Sequence, residues 1–121
     1  MDSKSFEFTF RIEKHDWDKL IIDASLLLKL VPADQWDSFR SYIFDQLQDK
    51  DGSPQADGFK ITQFKYSPQD SKGSFRLSFD IDRHFCCSDS NSCSNDYVDM
   101  KFSYLNALFQ ADGCYFNWTI Q

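Results

Sequence analysis

The chain has 121 residues, 41% of them hydrophobic and 17% aromatic with 13 Phe, and a formal net charge of −6. That length suits one domain able to bury roughly two-thirds of its unfolded surface, so disulfides are not needed for folding. Thirteen basic against nineteen acidic side chains argue against a nucleic-acid-binding surface, which needs clustered Lys and Arg to displace counterions from phosphates, and the longest apolar stretch, over 20–31, is broken by Asp23 and Lys29 and does not span a bilayer.

Met1 leads straight into Ser5-Phe6-Glu7-Phe8 with no basic and apolar leader, so the expected location is cytoplasmic. A strand is predicted over 5–13, with Phe6, Phe8, Phe10 and Ile12 on one side and Glu7, Thr9, Arg11 and Glu13 on the other. From Asp16, whose side chain suits a helix N-cap, the period changes. Trp17, Leu20, Ile21, Ala24, Leu27, Leu28 and Val31 follow i, i+3, i+4, i+7 spacing and predict one amphipathic helix over 16–31. Pro32 ends it. Trp36, Phe39, Ile43 and Leu47 mark a second helix over 34–50, with Asp51-Gly52 as its exit.

After a polar linker over 53–57, Phe59 and Ile61 resume a strand pattern, which Phe64 and Tyr66 continue one position late. A bulge near Gln63 accounts for the slip. The run from Ser67 to Gly73 reads as a turn, and Phe75, Leu77, Phe79 and Ile81 alternate cleanly as the second arm of a hairpin. A loop rich in Ser, Asn and Cys is expected over 86–96, then a strand carrying Val98, Met100, Phe102 and Tyr104. Asp112-Gly113 reads as the last turn, before a strand with Cys114, Phe116, Trp118 and Ile120, in which Cys114 is a small core residue. The simplest assembly is a single α+β domain over 1–121, in the order β-α-α-β-β-β-β, with a helical hairpin packed on one face of a five-stranded, mainly antiparallel sheet.

Residues able to do chemistry are scarce. Strand alternation aligns Asp80, Asp82 and His84 on one side, opposite Phe79 and Ile81, in a pattern that permits a divalent metal or an acid–base pair. It equally describes the wet side of a sheet, where Arg76 can pair diagonally with a carboxylate. Cys86, Cys87 and Cys93 lack the paired spacing of a zinc site, and Asp89-Ser90-Asn91-Ser92-Cys93 lacks the glycine and closing glutamate of a calcium loop. A Cys87–Cys93 or Cys86–Cys93 disulfide is conceivable, but a reducing cytosol would leave thiols. His84 and Cys86 share a strand face without a third group to orient them. No metal, cofactor or catalytic residue is assigned.

The acids are almost all aspartate, Glu7 and Glu13 being the exceptions. Their short stems lose little rotamer entropy and hold charge rigidly. Together with the missing catalytic parts, this favours a small acidic protein-binding or inhibitory protein of the immunity type, which neutralises a basic protein such as a toxin nuclease and binds neither nucleic acid nor membrane. The expected contacts are Asp80, Asp82 and His84, then Asp89, Asp96, Tyr97 and Asp99, with Asp45 and Asp49 on the outer side of the second helix, where the helix dipole does not explain them. The alternative is a small-ligand- or metal-binding domain using the Asp80/Asp82/His84 side, with the aromatic surplus lining a pocket. Either a monomer or a homodimer fits, because the first strand offers an edge on which two copies can pair.

Overall fold

Alternating and helical periods translate, among the described residues, into nine elements with the helices gathered on one side. The computed structural model describes residues 5–84 and 91–115. Strand β1 (Ser5–Arg11) is followed by α1 (Lys14–Leu20), a 3-10 turn (Ala24–Leu26), α2 (Leu27–Leu30) and α3 (Ala33–Gln46). Strands β2 (Gln55–Ser67), β3 (Lys72–His84), β4 (Asn91–Leu105) and β5 (Leu108–Cys114) complete the chain. The sheet order is β1-β5-β4-β3-β2, and every neighbouring pair is antiparallel. The protein is an α+β fold with its helices against one face of this sheet.

The helical layer is more broken than periodicity implies. Glu13, not Asp16, precedes α1, and Asp16 sits in its first turn. The expected 16–31 helix stops at Leu20, because the Asp23 carboxylate accepts from the Ser25 backbone N–H at 3.2 Å and from its hydroxyl at 2.6 Å. Those bonds offer the backbone an alternative to the helical ladder, and Ile22 is left 87% exposed at the corner. The second helix ends at Gln46 rather than 50. Beyond it, Lys50 donates to the Leu47 carbonyl and the Asp49 carboxylate takes the Asp51 N–H, local bonds that hold the chain out of the helix.

The bulge expected near Gln63 is present: the β2–β3 register slips between Thr62 and Lys65, and Gln63 has φ 55°. A second slip between Asp57 and Lys60 surrounds Gly58 at φ 64°. Strand β2 therefore bends twice and keeps Phe59, Ile61, Phe64 and Tyr66 against the core.

Three boundaries in the second half differ from expectation. Residues 91–96 are strand, because β3 runs on to His84 and β4 pairs with it along its whole length. The last turn is Asn106-Ala107, with φ 54° and 65° between paired Leu105 and Leu108, both central residues having the positive φ of a two-residue hairpin of type I′. Asp112-Gly113 lies inside β5. A Cβ on Gly113 would meet the Asp99 carbonyl oxygen and Met100 Sδ at 2.6 Å, so the glycine permits close packing and not a turn. Cys114 pairs with Ser5 and is half-buried rather than fully enclosed, its thiol hydrogen-bonding with Tyr42. Phe116, Trp118 and Ile120 lie outside the described residues.

Rings pack on rings between helices and sheet. Trp17 stacks on Tyr104 at 4.1 Å, Trp36 on Phe59 at 4.5 Å, and Phe39 meets Phe6, Phe8, Phe59 and Phe79 at 5.3 to 5.7 Å. A gap lined by Phe8, Leu27, Val31, Trp36, Ile61, Phe75, Leu77 and Phe109 holds about 10 Å³, at the threshold for one water, and its apolar walls keep it dry. Among the described residues, the rings between helices and sheet pack against one another as a core.

Candidate protein-binding surface

The uncovered face of the sheet is assembled from the residues that alternate with the core. Asp80, Asp82 and His84 do share it. Asp80 is held twice: one carboxylate oxygen accepts from the Asn95 side-chain amide, and the other rests against Gly58, where a Cβ would come within 2.7 Å of it. Asp82 lies opposite Cys93, and its hydrogen bond with the thiol pushes the Cys93 pKa above its ordinary value. The His84 backbone N–H donates to the Gly52 carbonyl at 2.7 Å, tying the end of β3 to the segment after α3. Among the described residues, no three His, Cys, Asp or Glu side chains are grouped so that they could hold a metal ion.

Tyr97 and Asp99 lie on the same face, nearer its middle. Arg76 joins them: its Nε and Nη2 donate to the two Asp99 oxygens at 2.8 and 3.2 Å, and its guanidinium lies 3.8 Å over the Tyr97 ring. The partner stands directly across the β3–β4 ladder rather than on the diagonal. Fork and stack together fix the arginine. Tyr97, 38% exposed, separates two shallow concavities of about 460 and 350 Å³, the first bordered by Lys101 and Asp112 and the second by Lys60, Ser78 and Asp80.

Charge on this face is balanced as a whole but unevenly spread. Glu7, Asp57, Asp80, Asp82, Asp99 and Asp112 are matched in number by Arg11, Lys60, Lys65, Lys72, Arg76 and Lys101. Asp57, Asp80 and Asp82 sit together at one end, and Lys65, Lys72 and Lys101 toward the other. The acidic surplus of the described chain therefore lies away from the open face.

Three further aspartates come near the Asp80 end, in company with Arg40, Lys50 and Arg83, so that the local excess of acid is that of Asp57, Asp80 and Asp82. Gln55 pairs with Asp82 and Asp57 with Asp80. Asp45, on α3, borders a hollow of about 260 Å³ with Ser41, Phe44, Pro54 and Gln55. Asp49 approaches Arg83 at 3.8 Å, while Arg83 donates to the Asp51 carbonyl at 2.6 Å. Asp45, Asp49, Asp51, Asp57, Asp80 and Asp82 thus ring the end of the molecule where β2 begins and β3 finishes. The nearby cations are engaged within the chain. Arg40 bridges Asp37 and Asp57, at 3.3 Å each, and Lys50 lies over the Phe44 ring at 5.4 Å.

Asp96 does not belong to this surface. It lies on the helix side of β4, opposite Phe79, and accepts from the Tyr115 hydroxyl at 2.5 Å. Burial first, and then this bond, push the Tyr115 phenol above the ordinary tyrosine range. Asp89, Cys86 and Cys87 lie outside the described residues, and Cys93 is a thiol. Sequence reasoning missed Asp51, Asp57 and the bridging Arg40. The first two read as turn residues, and no local period could have revealed their neighbours. Comparison with protein-family models, with curated proteins and with solved structures returned no match.

Proposed function

We propose that the chain is a small inhibitory protein of the immunity type, which binds and neutralises a basic protein such as a toxin nuclease through its acidic end. The observation that carries this reading is the ring of six aspartates, Asp45, Asp49, Asp51, Asp57, Asp80 and Asp82, drawn from α3, the segment after it and two strands. Short carboxylates on rigid elements make a preorganised negative field, which speeds encounter with a positive partner, and Phe44, 38% exposed beside Asp45, adds an aromatic contact. His84, at the end of β3, borders the same region.

Capture from a lysate of the source organism at low salt, eluted by a salt step, would identify the partner. Association is expected to slow as ionic strength rises. Asp80→Asn with Asp82→Asn should lower the association rate constant by about tenfold at low salt while changing dissociation little. The partner's activity should fall on binding. A partner whose association is indifferent to salt and to these substitutions would rule out the acidic end as the contact.

A further inference from the structure

Among the described residues the sheet has five strands and two outer edges, and the edges differ. Strand β2 is bulged twice, and the Arg40 Nε donates to the Ala56 carbonyl on its outer side at 3.2 Å. Such an edge is a poor template for a further strand. Strand β1 is regular. It pairs with β5 through seven consecutive residues without a register slip, and contains no residue at positive φ. Its outer backbone groups are those of the odd-numbered residues, as Thr9 demonstrates. The Thr9 N–H donates to Gln35 Oε1 at 3.0 Å, and Gln35 Nε2 donates to the Thr9 carbonyl at 2.6 Å. One side-chain amide thereby reproduces the reciprocal pair of bonds that a facing residue makes in an antiparallel ladder.

The position of this cap coincides with a symmetry in the strand. Around Thr9 the chain reads Glu7-Phe8-Thr9-Phe10-Arg11. If a second β1 lay antiparallel with Thr9 opposite Thr9, each Glu7 would face the other copy's Arg11, and each Phe8 the other's Phe10. Glu7 and Arg11 are exposed on the open face, Arg11 being bound within the single chain to Glu13 at 2.7 Å; a two-fold axis normal to the sheet keeps both open faces on one side, so each Arg11 can exchange Glu13 for the other copy's Glu7 across the ladder.

We propose that the outer edge of β1 is a self-pairing surface for a second copy of this chain, centred on Thr9 and held shut by the Gln35 carboxamide. Gln35 is well placed for this. It lies in the first turn of α3, which is fixed on β1 by Phe8 against Trp36 at 5.4 Å and against Phe39 at 5.6 Å. Displacing one side chain frees a donor and an acceptor at the point where the two-fold would pass.

Sedimentation velocity over a concentration series tests this. Gln35→Ala should dimerise with a dissociation constant about tenfold or more below that of the wild type. Adding Arg11→Glu should undo the gain, because like charges then face each other at both ends. Exchanging the charges, Glu7→Arg with Arg11→Glu on the Gln35→Ala background, should restore it. Gln35→Glu, which can accept from the Thr9 N–H but not donate to its carbonyl, should open the edge part-way. Unchanged association in Gln35→Ala, a dimer indifferent to the charge reversal, or a wild type already as tightly dimeric would each overturn the proposal. Amide hydrogen exchange in the dilute wild type reads the cap without any substitution. Thr9 should exchange more slowly than Glu7, and equal rates would sink it.

Discussion

The two faces of the sheet use the same alternation to opposite ends. On the covered face, side chains from five strands meet the helices, and their rings interlock so closely that the gap among them holds about 10 Å³. On the open face, alternating residues make pairwise polar contacts across the ladder, such as Arg76 with Asp99 and Asp80 with Asn95. Dispersion and water exclusion accumulate over many contacts on the first, whereas salt and solvent screen each pair on the second. Stability therefore resides on one face, and the other is left to hold charge in fixed places.

Substitution of Phe39 is the strongest way to break that contrast. It is fully buried at the centre of the ring cluster, and Phe39→Ala should destabilise the fold by about 3–5 kcal/mol in urea denaturation. Tyr115→Phe, also under the helices, should cost about 1–3 kcal/mol by leaving Asp96 without its hydroxyl donor. Tyr115 also sharpens the comparison through pH. Its folded pKa is raised above the ordinary value of 10.0, so above pH 10 the unfolded chain loses the phenolic proton first. Stability contributed by the neutral phenol, fully present below that value, then declines as pH rises. A stability profile between pH 8 and pH 11 should fall less steeply in Tyr115→Phe than in the wild type. The smallest effect is expected on the open face. Arg76→Ala removes a fork and a stack whose partners are 30% and 65% exposed in the Arg76–Asp99 pair, and should cost about 0.5–1 kcal/mol, shrinking further in high salt.

How much could be read in advance depended on whether a residue's neighbours were local. The covered face was legible residue by residue, since Phe75, Leu77, Phe79 and Ile81 point inward whatever lies beyond them. The slip at Gln63 was legible for the same reason. Apolar spacing overextends helix α1 because the Asp23 carboxylate accepts from both the backbone N–H and the hydroxyl of Ser25, a local contact that such spacing does not register. The Asn106-Ala107 turn was hidden because Ala at positive φ lacks the glycine that usually marks it. Residues 91–96 read as loop because polar Ser94 and Asp96 stand on the core side of β4, opposite Ile81 and Phe79, where alternation calls for apolar side chains.

The candidate surface divides along the same line. That Asp80, Asp82 and His84 share a face, and that Tyr97 and Asp99 share one, follows from the period of two. Which carboxylates join them does not. Asp45, Asp49, Asp51 and Asp57 reach the end of β3 only because the segment after α3 folds back over it, and Asp96 leaves the set only because β4 turns that side chain toward Tyr115. The amino-acid sequence by itself determined the class of fold, the inward rings and the surplus of rigid negative charge, all consequences of backbone periodicity and composition. Tertiary structure decided where that charge gathers and which strand edge is shut, because both depend on residues brought together by chain reversal, to which local spacing is blind.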